Sequence, residues 1–377
     1  MMVIQVRDIV EDPSANHEIF GIMKDFRKGG LHPDMYQEFI DTFKLLPHIS
    51  KRTKNDYNIF DKFNLGSITK EDANVILKEL KKRAEDKNRM CWHPLASSLT
   101  CDLDSLGNVK ITRAHSIQNN GILNKISDNG LVTDFLPQNG KTIHKNHASV
   151  FLGFCNKHDA IFEPVELKPY IQSEEQNFLF AYRAFTLGYH KKRETSQNTI
   201  SQWEKDLVNN KEIFDKAIIS GEFSVIETEV FEFPSNYPLA SSNTFNLEFD
   251  FEGNPLTHSD ERMENIFATL IPAEKNTYFL LSYFREDKSI YGRLGSQIRA
   301  RNNFRSDISM LIMQGENTFF NPTYYNTFIK KFESDIFRFV TQAATNTVSY
   351  TDNATIIRSN TPHNILDNPY NIELFGY

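Results

Sequence analysis

The placement of the cysteines constrains this chain more than any other feature of its sequence. All three lie between positions 91 and 155 of a chain of 377 residues. A small, odd number of cysteines argues against a secreted disulfide framework and favours a metal or catalytic use. The region from about 90 to 165 also holds five of the eleven histidines and many Gly and Asn turn signals. We therefore expect a compact module here that is built around ligands.

The thiols and imidazoles of this region are spaced as zinc ligands usually are. Zinc prefers thiolate and imidazole groups, and structural sites take them as two closely spaced pairs. Cys155 and His158 form one pair in "GFCNKHD", where a Gly-preceded turn runs into a helical stretch. The stretch "CWHPLASSLTC" offers Cys91, His93 and Cys101 for the other two places. We favour Cys91 and Cys101, with His93 as the substitute, and predict a structural Zn²⁺; the competing interpretation is three buried structural cysteines.

Two further side chains indicate chemistry beside the predicted zinc site. His115 ends the strand-like run "VKITRAHSI", and a histidine that titrates near neutral pH can take a proton from water that attacks a phosphodiester. Asp159 follows His158 at the predicted helix start, so its carboxylate would project toward the strand of His115. Carboxylate oxygen suits Mg²⁺ or Mn²⁺. The competing interpretation is a buried histidine whose ring nitrogens are satisfied by the backbone.

The segments "RAHSIQ" and "ASVFLGFCNKHD" resemble the HNH nuclease motif, a ββα-metal finger often fused to a zinc-binding treble clef. The resemblance covers about residues 91 to 165, a fifth of the chain. The overall pattern also resembles uncharacterised stand-alone bacterial proteins with an HNH-like core. The resemblance implies that His115 activates water and that Asp159 holds the catalytic metal ion.

The same resemblance implies a middle residue that orients the catalytic histidine. Ser149 lies nearest the expected spacing before Cys155, with His147 as the alternate, and Asn146 and His144 lie close by. The chain departs from the family at position 114, where an alanine stands in place of a frequent metal-binding His or acid. This departure leaves the catalytic metal ion with few protein ligands.

The rest of the sequence predicts an α+β fold in three parts. Residues 1–89 show apolar residues at helical spacing and form a predicted helical N-terminal region. Residues 90–220 hold the HNH-like zinc module with packing helices, one of which opens with Ser173 and Gln176 in capping-box spacing. Residues 221–377 form a predicted C-terminal α+β domain. Within it, "TFNLEFDFEGN" alternates as a strand does, and "NTYFLLSYF" is its predicted partner strand.

Charge and hydropathy narrow the choice of partners. A net charge of −7 argues against coating nucleic acid by bulk electrostatics but leaves room for a local basic groove. Arginines at 293, 299, 301 and 305 are either such a patch or exposed helix charge. No stretch approaches the roughly 18 apolar residues of a membrane span, and acids stand where a signal peptide needs its apolar segment. We expect a cytoplasmic protein that does not contact membranes.

Three functions are consistent with these observations. The first is a metal-dependent HNH-like endonuclease that acts on DNA or RNA, with a role in phage defence by analogy with some bacterial HNH proteins. The second is a catalytically inactive treble-clef module that recognises nucleic acid or a protein partner. The third is a nuclease held inactive until the C-terminal region senses a trigger. A homodimer is an open alternative for the assembly.

Overall fold

The computed structural model describes residues 89–134, 140–195, 202–257, 262, 264–336, 339, 346–351, 354–359, 366 and 368–376. The predicted helical region 1–89 lies outside these residues except for its last position. The described chain has an α+β fold with antiparallel sheets, as the sequence predicts. Within the described ranges, no helix combines the length and the apolar character that crossing a membrane requires.

Eleven strands are assigned in the described residues. In chain order they are β1 (Ile111–His115), β2 (Leu131–Asp134), β3 (Lys141–His144), β4 (Val150–Cys155), β5 (Ile226–Phe233), β6 (Leu239–Phe245), β7 (Ile266–Pro272), β8 (Thr277–Phe284), β9 (Thr318–Phe320), β10 (Asn346–Thr351) and β11 (Ala354–Ser359). β1 and β4 form an antiparallel pair, and β10 and β11 form another. The remaining seven make one sheet in the order β3-β2-β9-β6-β7-β8-β5.

The helices lie on both sides of this seven-stranded sheet or beside the β1–β4 pair. They are α1 (Asn156–Asp159), α2 (Glu163–Glu166), α3 (Glu174–Thr195), α4 (Gln202–Ser220), α5 (Lys288–Tyr291), α6 (Leu294–Ala300), α7 (Phe304–Met313) and α8 (Pro322–Thr327). A helical turn over 119–126 follows β1. α1 begins directly after β4, so strand, strand and helix occur in that order around the predicted zinc ligands.

The seven-stranded sheet crosses the predicted boundary between residues 220 and 221. It takes β2 and β3 from the first side and β5 to β9 from the second, and β9 joins them by pairing with both β2 and β6. The described residues within 90–190 and 202–376 accordingly belong to one compact unit. Pairing between strands so distant in sequence leaves no local pattern, so the sequence places a boundary where the structure has a continuous sheet.

α3 contributes many buried side chains to the core of this unit. Ser173 caps it, since Oγ of Ser173 accepts a hydrogen bond from N of Gln176 at 3.2 Å, as the sequence predicts. The Gln176 side chain does not complete the capping box; its Nε2 donates to the carbonyl of Pro169 at 2.9 Å. Tyr182 of α3 is fully buried and packs on Phe214 of α4, with ring centroids 5.2 Å apart. Burial of each such ring contributes about 1.5–3 kcal/mol.

The predicted strand over "TFNLEFDFEGN" is wrong beyond Phe245, where β6 ends. Leu247 and Phe251 are buried, but they belong to a loop that the Asp250 carboxylate closes by accepting a hydrogen bond from N of Asn254 at 2.8 Å. The alternation therefore reflects the burial of a loop. The stretch "NTYFLLSYF" does form a strand, β8, but it pairs with β7 and β5 rather than with β6.

Candidate metal centre

Four side chains bring their ligand atoms together at the end of β4. They are Cys91, Cys101, Cys155 and His158, and their ligand atoms all lie within 4.8 Å of one another. Nδ1 of His158 lies 3.5, 3.4 and 3.2 Å from Sγ of the three cysteines in chain order, and Sγ of Cys91 lies 4.0 Å from Sγ of Cys155. Tetrahedral zinc, with Zn–S of about 2.3 Å and Zn–N of about 2.0 Å, separates sulfurs by about 3.8 Å and sulfur from nitrogen by about 3.5 Å. The group is compatible with zinc and is the set that the sequence favours.

Local structure supplies the ligands in two pairs. Cys155 is the N-cap of α1, and His158 lies three residues further, so both side chains lie on the same side of the first turn. Cys101 lies in a separate turn. The neighbouring Asp102 ties that turn to the helix, because its Oδ2 accepts a hydrogen bond from N of Lys157 at 2.7 Å. The turn that carries Cys101 is therefore held against the first turn of α1, which carries Cys155 and His158.

The fourth ligand, Cys91, is positioned by its neighbour Trp92. N of Trp92 donates to the carbonyl of Gly153 at 2.8 Å, which aligns this segment with β4. The Trp92 ring is buried and meets the ring of Tyr189 edge-on, with centroids 4.6 Å apart. A Cβ at position 153 would lie 2.5 Å from Cδ1 of Trp92, so the close approach requires glycine.

His93, the predicted substitute ligand, is not one of the four. Its ring stacks on the ring of His158 with centroids 4.2 Å apart and 11° between the planes. Burial lowers the pKa of His93 to about 4 and also lowers the pKa of His158, so both rings are neutral at neutral pH. Burial raises the pKa of Cys91 to about 12. Metal binding would therefore release protons from the thiols.

His115 lies at the end of β1, opposite Val150 of β4. Its Nδ1 lies 3.0 Å from the carbonyl oxygen of Ala148. A carbonyl only accepts hydrogen bonds, so Nδ1 carries the hydrogen and Nε2 is the proton acceptor. Burial lowers the pKa of His115, and Arg183 adds to this effect, while the Ala148 bond and Glu166 oppose it. The ring is therefore neutral at neutral pH and able to accept a proton.

A charged pair next to His115 was not singled out by the sequence. Arg183 of α3 is 1% exposed, and its Nη2 donates to Oε1 of Glu166 at the end of α2. Its guanidinium also lies 4.5 Å from the centre of the Phe162 ring. Nε and Nη1 of Arg183 have no hydrogen-bond partner among the described residues. The charges of the pair act on both His115 and Asp159. The sequence feature that could have indicated this buried pair is the position of Arg183 within the apolar run of α3.

Asp159 is half-buried on α1, and burial raises its pKa to about 6, an effect that Arg183 opposes and Glu166 increases. Its Oδ1 is buried and has no hydrogen-bond partner in the described part of the chain. Among the described residues, groups of three or more potential ligands occur only at the Cys3His site. Mg²⁺ commonly binds through one or two carboxylates and keeps several waters, so an ion held by the Asp159 carboxylate would take most of its ligands from water.

Ser149, predicted to orient His115, has a different contact. Its φ of 58° is left-handed, and its Oγ lies 2.5 Å from Oγ of Ser116. Ser116 in turn accepts a hydrogen bond from Nδ2 of Asn317 at 2.9 Å, which ties the β1–β4 pair to the sheet. The group that contacts His115 is the backbone carbonyl of Ala148. Ser149 therefore contacts Ser116 and the backbone N of Ile117, while His115 contacts the carbonyl of the residue before Ser149.

The alternates for the middle position are exposed and engaged elsewhere. The rings of His144 and His147 face each other with centroids 6.4 Å apart. Oδ1 of Asn146 accepts a hydrogen bond from Nδ2 of Asn119 at 3.0 Å. These three exposed side chains lie at the end of β3 and in the short connection to β4.

Arginines of the predicted basic stretch make contacts within the fold. Arg299 pairs with Glu229 at 2.5 Å, and Arg301 pairs with Asp307 at 3.1 Å. Arg305 lies over the ring of a tyrosine, 5.7 Å from its centroid. These contacts favour the interpretation of exposed helix charge over that of a nucleic-acid patch.

Comparison with known proteins gives no relative for this chain. No family model matches it, and neither a curated protein nor a solved structure does. The resemblance to HNH nucleases therefore rests on the residues and the geometry described above.

Proposed function

We propose that this protein is a metal-dependent endonuclease that hydrolyses phosphodiester bonds of nucleic acid through an HNH-like ββα site. The observation that carries the proposal is the state of His115. It ends β1 in a strand pair whose second strand runs directly into α1, and its Nδ1 is held by the Ala148 carbonyl. This leaves a neutral ring with Nε2 as the base. A histidine held in this way is suited to activate water.

In this mechanism Nε2 of His115 accepts a proton from the attacking water. The Ala148 carbonyl holds the ring in one tautomer, and the Arg183–Glu166 pair adjusts the pKa of the ring. Asp159 on α1 would hold Mg²⁺ or Mn²⁺. When bound, such an ion would stabilise the negative charge that develops on the phosphate. Positioned donors and charges of this kind act most strongly in a site that excludes water.

The Cys3His group has a separate, structural role in the proposal. Four protein ligands complete a tetrahedral zinc shell, and a shell that keeps no open position does not activate water. Zinc would fix the end of β4 and the start of α1, and hence the placement of Asp159 relative to β1. The treble-clef layout belongs to this proposal as well.

A recognition module without catalysis is the second candidate. Ala114 is 1% exposed and lies in the core next to His115, at the position where the resembled family often has a metal ligand. Because alanine cannot bind a metal ion, Asp159 would be the main protein ligand left for a catalytic ion. This observation favours a module that is held by zinc and binds without turnover.

Cleavage assays with matched variants test the proposal. The purified chain is incubated with plasmid DNA, single-stranded DNA and structured RNA in Mg²⁺ or Mn²⁺, and zinc is counted by elemental analysis. His115→Ala and Asp159→Asn should lose cleavage while keeping one zinc per chain. Lys110→Ala and Glu163→Gln change exposed residues of the same segments and should cleave like the wild type. Absence of cleavage by the zinc-loaded wild type, or equal cleavage by His115→Ala, would overturn the proposal.

A further inference from the structure

A groove with a cavity volume of about 360 Å³ opens between the chain that follows β1, the chain that follows α2 and the β7–β8 connection. Four segments line it: the turn that follows β1, the chain after α2, the first turns of α3, and the β7–β8 connection. Volumes of this size are typical of ligand sites. The groove is therefore large enough to receive part of a substrate.

The groove is linked through the chain to the segments of His115 and Glu166. Gln118, which lines it, follows His115 by three residues, and its Nε2 donates to the carbonyl of Glu166 at 2.5 Å. Val165, another lining residue, directly precedes Glu166. The turn that carries Gln118 therefore connects the strand of His115 to the wall of the groove.

The lining of the groove combines positive charge with aromatic rings. Lys125, Lys168 and Lys275 are exposed at its rim, together with the acid Glu274. This local excess of positive charge contrasts with the net charge of −7 of the whole chain. The half-buried rings of Tyr170 and Tyr278 also line it, with centroids 5.2 Å apart and 65° between their planes. Lysines around aromatic rings are the usual composition of a single-strand binding groove.

Hydrogen bonds of a buried side chain hold one wall of the groove in place. Gln176 is 3% exposed, and its Oε1 accepts a hydrogen bond from N of Ile171 at 2.9 Å. Its Nε2 donates to the carbonyls of Pro164 at 3.1 Å and Pro169 at 2.9 Å. The loop that carries Tyr170 is thereby fixed to α3, so the groove is preformed.

We propose that this groove binds an unpaired stretch of nucleic acid that flanks the scissile phosphate, an inference that rests on the proposed function. The lysines contact phosphates, and Tyr170 and Tyr278 contact bases. A duplex keeps the faces of its bases stacked on one another, whereas a single strand can present a base to a ring inside a groove. The enzyme is accordingly selective for single-stranded or locally unpaired substrates.

Binding without cleavage tests this proposal. The full-length, zinc-loaded His115→Ala protein is titrated, without Mg²⁺ or Mn²⁺, against fluorescent single-stranded DNA, single-stranded RNA and blunt duplex DNA of equal length. Single strands should bind more tightly than the duplex. Tyr278→Leu should weaken single-strand binding by about 5- to 100-fold, the usual effect of losing a stacked base, and Tyr278→Phe should retain it.

Substitutions of charged residues at the rim change the salt dependence of binding, which a folding defect would not change in the same way. Lys168→Ala should reduce the salt dependence of binding, with the slope of log K against log salt falling by about 0.7 per lost phosphate contact. Glu274→Gln should strengthen binding, and Lys216→Ala, an exposed lysine on α4, should leave it unchanged. The binding proposal would be overturned if the protein preferred the duplex, or if the groove variants bound as Lys216→Ala does. Either result would count against the groove even if cleavage is found. Selective binding in a protein that never cleaves would instead overturn the proposed nuclease and leave the groove as a recognition site.

Discussion

Replacing Glu166 by Gln removes the carboxylate that Arg183 contacts inside the protein. The Arg183 side chain is 2% exposed and that of Glu166 is 29% exposed. Removing one partner of a buried ion pair costs about 3–5 kcal/mol, because the other charge stays buried without compensation. Since part of Glu166 reaches solvent, which screens the interaction, we expect a loss of about 2–3 kcal/mol in the free energy of unfolding.

Urea unfolding of the zinc-loaded protein measures this loss. The midpoint for Glu166→Gln should fall while the slope of the transition stays the same, which indicates a change of stability rather than of compactness. Glu163→Gln is the matched control, because Glu163 is an exposed residue of the same helix. Its effect should stay within about 0.5 kcal/mol. Equal midpoints for the two variants would show that the Arg183–Glu166 pair does not stabilise the fold.

The same pair should change the titration of His115 with a predictable sign. Glu166 raises the pKa of His115 and Arg183 lowers it. Glu166→Gln should therefore lower the pKa of His115 further, and Arg183→Met should raise it, as measured by NMR titration of the ring. Arg183→Met leaves the Glu166 carboxylate without its partner and should also destabilise the protein, but less than Glu166→Gln does, because Glu166 is partly exposed and Arg183 is not. Shifts of the same sign in both variants would contradict the placement of the pair.

Three further predictions concern the metal centre, its supporting glycine and the pH dependence. Chelation of the metal, or Cys155→Ser, should increase hydrogen exchange over residues 90–165 while β7 and β8 stay protected. The reason is that a bound zinc would supply folding free energy to the module. Unchanged protection over residues 90–165 would contradict this. Gly153→Ala should destabilise the protein by about 1–3 kcal/mol in urea, because its Cβ would lie 2.5 Å from Trp92. The cleavage rate should rise with pH and level off, with the midpoint below the usual histidine pKa of 6.5, because the neutral ring of His115 is the active form; a midpoint well above this value would contradict that role.

One pair of the Cys3His group was predictable because its spacing is local. Cys155 and His158 lie on one helical turn, so the sequence alone places them together. The Arg183–Glu166 contact depends on how α3 packs against α2, and nothing in either segment specifies it. The orienting group of His115 was missed for a different reason. It is a backbone carbonyl, and a carbonyl has no signature in the amino-acid sequence.

The fold shows the same division between local and long-range information. The cap at Ser173 was predicted because a cap involves residues three apart. The continuous sheet was not predicted, because it depends on pairs that are far apart in sequence, such as Thr133 of β2 with Phe320 of β9. The alternation that ends near Phe251 was misleading, since a loop can bury every second residue without pairing as a strand.

The most direct test of the central claim is the single-turnover cleavage rate of His115→Ala relative to the wild type, at equal zinc content and saturating Mg²⁺. A positioned general base contributes about 10²- to 10⁴-fold to such a reaction, so we predict a loss of that size with one zinc per chain retained. Equal rates for the two proteins would show that His115 is not the base and would contradict the proposed nuclease site.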